Sequence, residues 1–253
     1  MKQFRQSLIL ACAALTFIFS SCGGGEEKTT TTDTMSADST SVTDSTSANA
    51  GAPTAMGNEI NPPTNLMVVV HKVANYDKWK TSYDEHDSMR LAAGIHSYVI
   101  SRRQPDSNTL VVAVKADDLD KAKAFAKDPS LKVAMQKGGV VGAPDIQYYK
   151  IVYDDNSSIA TDIREIRTFK VKDWDAWKKA FESGHQLRLD NGLLERSYGY
   201  DASDNHKVML VVAKTDTAKA NAFLKSDLYK QRREAAGVEG PTDVKTIRIV
   251  ARY

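Results

Sequence analysis

The chain has 253 residues, 42% of them hydrophobic and 26% charged, enough apolar content for one large domain or two of about 100 residues. Lys and Arg number 34 against 32 Asp and Glu, a net charge of +2, which supplies no electrostatic footprint for nucleic acid. Cysteine occurs only at Cys12 and Cys22, so the sequence beyond Cys22 excludes a disulfide, a thiolate nucleophile or a Cys-based metal site.

Lys2 and Arg5 precede an apolar run from Leu8 to Phe19, about a dozen residues and too short to span a bilayer stably. Phe19-Ser20-Ser21-Cys22-Gly23 then resembles a bacterial lipobox, with Phe where Leu is usual. The resemblance implies a signal peptide over 1–21, lipidation at Cys22 and attachment to a membrane, each acyl chain contributing roughly 0.8 kcal/mol per buried CH₂. Gly23 in place of Asp after the cysteine implies sorting to the outer membrane of a Gram-negative bacterium. Glu26-Glu27 resembles an acidic signal for surface exposure.

Residues 23–60 are rich in Thr, Ser, Ala, Gly and Asp, with six acidic residues against Lys28. Such a segment cannot bury enough apolar surface to offset its ordering entropy, so 22–63 is expected to be a lipidated, disordered tether ending at Asn61-Pro62-Pro63.

Beyond it the chain repeats itself. A shift of 98 residues, held without a gap, sets Asp77 on Asp175, Trp79 on Trp177, Arg90 on Arg188, Gly94 on Gly192, Phe125 on Phe223 and Gly142 on Gly240. A period this long marks a repeated domain rather than a solenoid. The expected boundaries are 64–153 for the first repeat, 154–161 for a linker and 162–253 for the second.

Each repeat reads β-α-β-β-α-β. In the first, Leu66–Val73 is a continuous apolar strand, as where both faces are covered. Apolar residues at helical spacing predict a helix over Tyr76–Ala93, with Gly94 as its C-terminal glycine. Ile95–Arg103 and Leu110–Ala116 predict a hairpin across the turn at 104–108. A second helix is expected over Asp118–Ala126, then a turn opened by Asp128-Pro129 and running to about Lys137. The last strand is expected at Ile146–Tyr153, after the breaks at Gly138-Gly139 and Gly142-Ala143-Pro144. This order is α+β and ferredoxin-like, with both helices on one sheet face. The opposite face of each sheet is also apolar, so the two repeats are expected to pair with each other as a pseudo-dimeric α/β-barrel.

Tyr76-Asp77-Lys78-Trp79-Lys80 with Tyr83, Asp84, Arg90 and Gly94, then Lys127-Asp128-Pro129-Ser130-Leu131 and Gly139-Val140-Val141-Gly142-Ala143-Pro144, resembles the dimeric α/β-barrel superfamily. That superfamily includes antibiotic biosynthesis monooxygenase-like proteins and small single-domain proteins, some labelled cyclase-like. The second repeat keeps Trp174-Asp175-Ala176-Trp177-Lys178, Phe181, Arg188 and Gly237-Val238-Glu239-Gly240-Pro241. The resemblance implies the fold. The fold hosts monooxygenases, haem-degrading enzymes, isomerases and non-catalytic binders alike.

Trp79 and Trp177 are expected to anchor helix to sheet. Arg90 and Arg188 lie two turns beyond Tyr83 and Phe181 on the same stripe, as a helix-end cation or a guanidinium at a pocket mouth. His71, His86 and His96 have Phe169, Gly184 and Leu194 at the matching positions, so either the first repeat alone has a polar pocket or these histidines are incidental. His71 shares a strand face with Val69 and Val73, taken as facing the barrel interior. Tyr198, with Tyr98, Arg102, Arg196 and Tyr200, gives the second strands a polar-aromatic character that suits a half-exposed strand or the binding of a small planar or anionic molecule. The ligand-binding candidates are thus His71, His86, Arg90, His96, Arg188 and Tyr198. No metal-ligand spacing, phosphate loop or nucleophile elbow is present, and no cofactor is expected. Three readings follow: an envelope lipoprotein binding a small apolar or aromatic molecule in the barrel, a cofactor-independent monooxygenase-like enzyme, and a protein-interaction module on a membrane tether.

Overall fold

The computed structural model describes residues 58–253. The expected signal peptide, the expected lipidation at Cys22 and nearly all of the expected tether lie outside the described residues.

The first repeat runs β1 (Glu59–Val73), α1 (Tyr76–Glu85), α2 (Asp87–Ala92), β2 (Ile95–Arg103), β3 (Thr109–Ala116), α3 (Leu119–Phe125), α4 (Pro129–Lys137) and β4 (Val140–Asp154). The second follows the same order: β5 (Ile163–Val171), α5 (Trp174–Glu182), α6 (His185–Asp190), β6 (Leu193–Asp201), β7 (Asp204–Lys214), α7 (Thr217–Lys225), α8 (Asp227–Ala235) and β8 (Val238–Arg252). All eight strands pair antiparallel in one closed barrel, β1-β3-β2-β8-β5-β7-β6-β4. Each repeat therefore contributes a ferredoxin-like four-stranded sheet.

The sheets join through hydrogen-bonded edges as well as apolar faces. The 15-residue strands β4 and β8 overrun their own sheets, and their far ends pair with β6 and β2 of the other repeat. At the β4–β6 seam the backbones close in at Gly199, where an added Cβ would collide with the Lys150 carbonyl oxygen. Closure removes sheet edges that would otherwise template association.

Strand alternation sorts the core into three clusters. Leu66 and Val68 point into the barrel with Val111, Tyr149, Ile151, Met209 and Ile247. Met67, Val69 and Val73 point outward under the first repeat's helices, with Trp79, Ile95 and Phe125. Val171, Trp177, Leu210, Val212 and Phe223 form the corresponding outer cluster of the second repeat. The continuous apolar runs in β1 and β3 are thus explained by burial on both faces.

Local structure departs from expectation in four places. The first helix is two helices, broken at His86 (φ −101°, ψ 22°), and the same break recurs at Gly184 in the second repeat. Residues 129–137 are a helix rather than a turn: the Asp128 side chain accepts from the Ser130 N–H, and Pro129 starts the first turn, where its missing N–H costs nothing. Strand β1 starts at Glu59, within the expected tether, and reaches Thr64 through a register irregularity that accommodates Pro62 and Pro63. Strand β4 starts at Val140, since Val140 and Val141 already pair with Val73 and Lys72.

Candidate functional site

Each repeat holds a pocket between its helices and the outer face of its sheet. The first lies under α1, α2 and α4 and has a cavity volume of about 80 Å³. Its floor is the outward stripe Met67, Val69 and His71 of β1, and Trp79, Tyr83, His86 and Arg90 stand around it. His71 therefore faces the helices, not the barrel interior expected for a strand face that admits polar residues. The apolar run of β1 lacks the alternation that would have identified the outer face.

His71 is only 5% exposed, and neither ring nitrogen has a hydrogen-bond partner among the described residues. Its ring lies 5.4 Å from that of Trp79, tilted by 50°. Burial favours the neutral imidazole and lowers its pKa from 6.5 to about 4. Leaving a buried polar group unpaired costs roughly 1–3 kcal/mol. The site therefore carries an unspent donor and an unspent acceptor at the base of an apolar cleft.

The wall is built by helix periodicity. Trp79 and Tyr83, one turn apart on α1, stack with ring centroids 5.0 Å apart. The Arg90 guanidinium lies 3.6 Å from the Tyr83 ring centroid. It donates to the Tyr83 carbonyl (2.6 Å) and to Asp87 Oδ1 (2.9 Å). Arg90 thus satisfies a carbonyl that the helix break would otherwise orphan. Its Nε is buried without a partner. The His86 Nδ1 donates to the Ser82 carbonyl at 2.6 Å, which holds this ring at the break. The Tyr83 hydroxyl pairs with Ser97 Oγ at 2.8 Å, and burial raises the Tyr83 pKa.

The second pocket, of about 90 Å³, lies under α5, α6 and α8. Phe169 takes the position of His71 and lies 5.6 Å from Trp177, which stacks on Phe181 at 4.9 Å. Arg188 sits 3.6 Å over the Phe181 ring and donates to the Phe181 carbonyl at 2.6 Å, repeating the Arg90 arrangement. It also pairs with Glu195 through Nε (2.7 Å) and Nη2. Burial lowers the Arg188 pKa, while the Glu195 charge opposes that shift. Glu195 is fully buried and also meets His185 Nδ1 at 3.0 Å.

The structure thus gathers His71, His86 and Arg90 at one pocket and places Arg188 at the other. His96 and Tyr198 line neither. His96 is exposed and meets Asp117 Oδ1 at 3.0 Å. Tyr198 is fully buried, stacked on Tyr153 at 5.0 Å, with its hydroxyl donating to Glu182 at 2.8 Å. Tyr98 and Arg196 hold the β4–β5 connection at one end of the barrel, Tyr98 through Asp154 (2.8 Å) and Arg196 through Asp155 (2.6 Å). The α4 residues Leu131, Ala134 and Met135 complete the first pocket. The expectation of a turn over 129–137 hides them, although Asp-Pro at a helix start is the available signal.

No helix among the described residues is long and apolar enough to cross a membrane. No protein-family model matches the sequence, and no curated protein matches it. Solved structures do. A candidate monooxygenase from Fusobacterium nucleatum aligns at 12% identity over 76% of this chain and 94% of that one, with a TM-score of 0.50. A candidate monooxygenase from Lactobacillus acidophilus aligns at 11% identity over 74% and 94%, with a TM-score of 0.48. A candidate antibiotic biosynthesis monooxygenase from Caulobacter crescentus aligns at 20% identity over 36% and 91%, with a TM-score of 0.30. What this chain shares with the first of these is the ferredoxin-like α/β fold.

Proposed function

We propose that this protein is a membrane-tethered binder of a small aromatic or apolar molecule bearing one hydrogen-bonding group, and that the His71 pocket is the binding site. The observation that carries the reading is the buried imidazole with two unpartnered nitrogens at the floor of an aromatic-walled cleft. A ligand hydroxyl that bonds either nitrogen recovers the cost of leaving it unpaired. The ligand's ring lies along Trp79 and Tyr83. The cavity is smaller than the roughly 150 Å³ of a dry cavity that holds benzene. A single ring therefore fits by projecting into the pocket's open side. The tether and anchor rest on the lipobox-like segment ending at Cys22.

The test compares phenol with toluene, which differ by hydroxyl for methyl, in calorimetric titrations of the full chain. Phenol should bind about tenfold more tightly, the equivalent of one hydrogen bond to a buried partner. His71→Phe should abolish that preference and retain toluene. Equal affinities, or a preference that survives His71→Phe, would refute the proposal.

A second reading, cofactor-independent oxygenation, is favoured by Arg90, which lines the same cleft with its Nε unpartnered and would lend positive charge to a phenolate once His71 takes the proton. The fold shared with a candidate monooxygenase fits it. Binding is the better reading, because an imidazole held near 4 by burial is a good acceptor but a weak base. Oxygen consumption that depends on both a phenolic ligand and His71 would reverse that order.

A further inference from the structure

The two pockets occupy equivalent places but differ in charge. In the second, Arg167, Arg188, Arg232 and Arg233 line the cavity together with an aromatic floor, and no carboxylate lines it. At the matching positions the first repeat has Val69, Arg90, Ala134 and Met135. Three of the four arginines are therefore particular to the second pocket.

Two of the four already pair with a carboxylate. Glu165 accepts from Arg167 at 2.6 Å, and buried Glu195 pairs with Arg188. Arg232 and Arg233, on the last turns of α8, pair with no carboxylate among the described residues. Arg233 bonds the Thr242 hydroxyl and the Gly240 carbonyl instead. Two of the guanidiniums, those of Arg188 and Arg232, also converge. A Cβ built on Gly184 would lie 3.0 Å from Arg188 Nη1 and 3.6 Å from Arg232 Nη2, so both nitrogens border one small gap. In the first repeat that position is His86, whose side chain bonds the helix end. The Arg233 guanidinium carbon stands 5.9 Å from the ring centroids of both Phe169 and Tyr229. Two cations without a carboxylate partner, Arg233 beside the aromatic rings and Arg232 beside Arg188, line a cavity of about 90 Å³ and match a flat ring carrying a single carboxylate.

We infer that the second pocket is a separate binding site for a small aromatic carboxylate, held by Arg232 and Arg233 at its rim with the ring on Phe169, Trp177 and Phe181. The protein then carries two unlike sites, a neutral hydrogen-bonding one in the first repeat and an anion-binding one in the second.

Benzoate and benzamide, which match in shape and differ in charge, separate this from simple apolar binding. Titrated into the full chain, benzoate should bind at least about tenfold more tightly than benzamide, as charge-assisted bonds imply, and added salt should narrow the gap. The pair Arg232→Gln with Arg233→Gln should erase the preference. Both residues lie at the surface end of α8, so circular dichroism should show an unchanged fold. His71→Phe should leave the preference intact, which keeps this site's failure distinct from failure of the His71 pocket. Equal affinity for the two probes on the unaltered protein would overturn the inference. So would a benzoate preference that persists in the double variant, or one that disappears in His71→Phe.

Discussion

Replacing His71 by Phe should stabilise the fold and remove part of its acid sensitivity. The second repeat shows that a phenyl ring fits, since Phe169 lies 5.6 Å from Trp177 where His71 lies 5.4 Å from Trp79. At neutral pH the substitution removes the unpaired ring nitrogens, worth about 1–3 kcal/mol. The acid effect follows from the titration of the ring. The folded value, about 4, lies below the ordinary 6.5, so the unfolded chain binds the proton more readily. The His71 contribution is therefore fully present above pH 6.5 and is lost as pH falls from 6.5 through 4. At 1.36 kcal/mol per pH unit the loss is about 2 kcal/mol at pH 5 and about 3 kcal/mol below pH 4. Urea unfolding of both proteins between pH 7.5 and 4.5 measures it. The wild type should lose stability faster than His71→Phe by that increment, other groups cancelling in the difference. Parallel pH dependences would show that His71 is not buried as described, and the pocket reading would fail with it.

Glu195→Gln removes the anion that compensates buried Arg188 and should cost about 3–5 kcal/mol in urea unfolding; a loss below about 1 kcal/mol would contradict the pairing. Gly199→Ala sets a methyl against the Lys150 carbonyl at the β4–β6 seam and should cost at least about 1–3 kcal/mol. Amide exchange should rise at β4 and β6 in that variant, and unchanged protection there would contradict the closed seam. Cys22→Ser should release the protein from the membrane fraction and abolish acyl labelling, whereas unchanged attachment would show that Cys22 is not the anchor.

The barrel was legible because its signals are redundant. The 98-residue register placed Trp79 with Trp177 and Arg90 with Arg188, and the two-sided apolar runs of β1 and β3 required a second sheet. Strand β2 falls at Ile95–Arg103, as the hairpin across the turn at 104–108 predicts. The misses have local causes. Pro129 breaks a chain in most contexts and starts a helix here, because Asp128 precedes it as a cap. Glu59 to Pro63 has the composition of a tether, yet Glu59 is fixed by its pairing with Tyr153 and by the Lys178 ammonium at 2.6 Å, a contact across the repeats. His71, His86 and Arg90 were identifiable by their asymmetry between repeats or by their place on the aromatic stripe. Their shared pocket was not, because it depends on which face of β1 turns outward and on a helix that had been read as a turn. Arg232 and Arg233 stood opposite Ala134 and Met135 throughout, and comparing the repeats by charge would have singled them out.

For the first pocket to bind as proposed, His71 must be neutral, buried and available to a ligand. Nitrogen NMR of the ¹⁵N-histidine-labelled full chain at pH 7, with His71 assigned by its loss in His71→Phe, tests this directly. The free protein should show a neutral imidazole at His71, and phenol should shift one of its ring nitrogens in the direction of hydrogen bonding while toluene leaves both in place. A charged His71 at pH 7, or a His71 signal unmoved by saturating phenol, would contradict it.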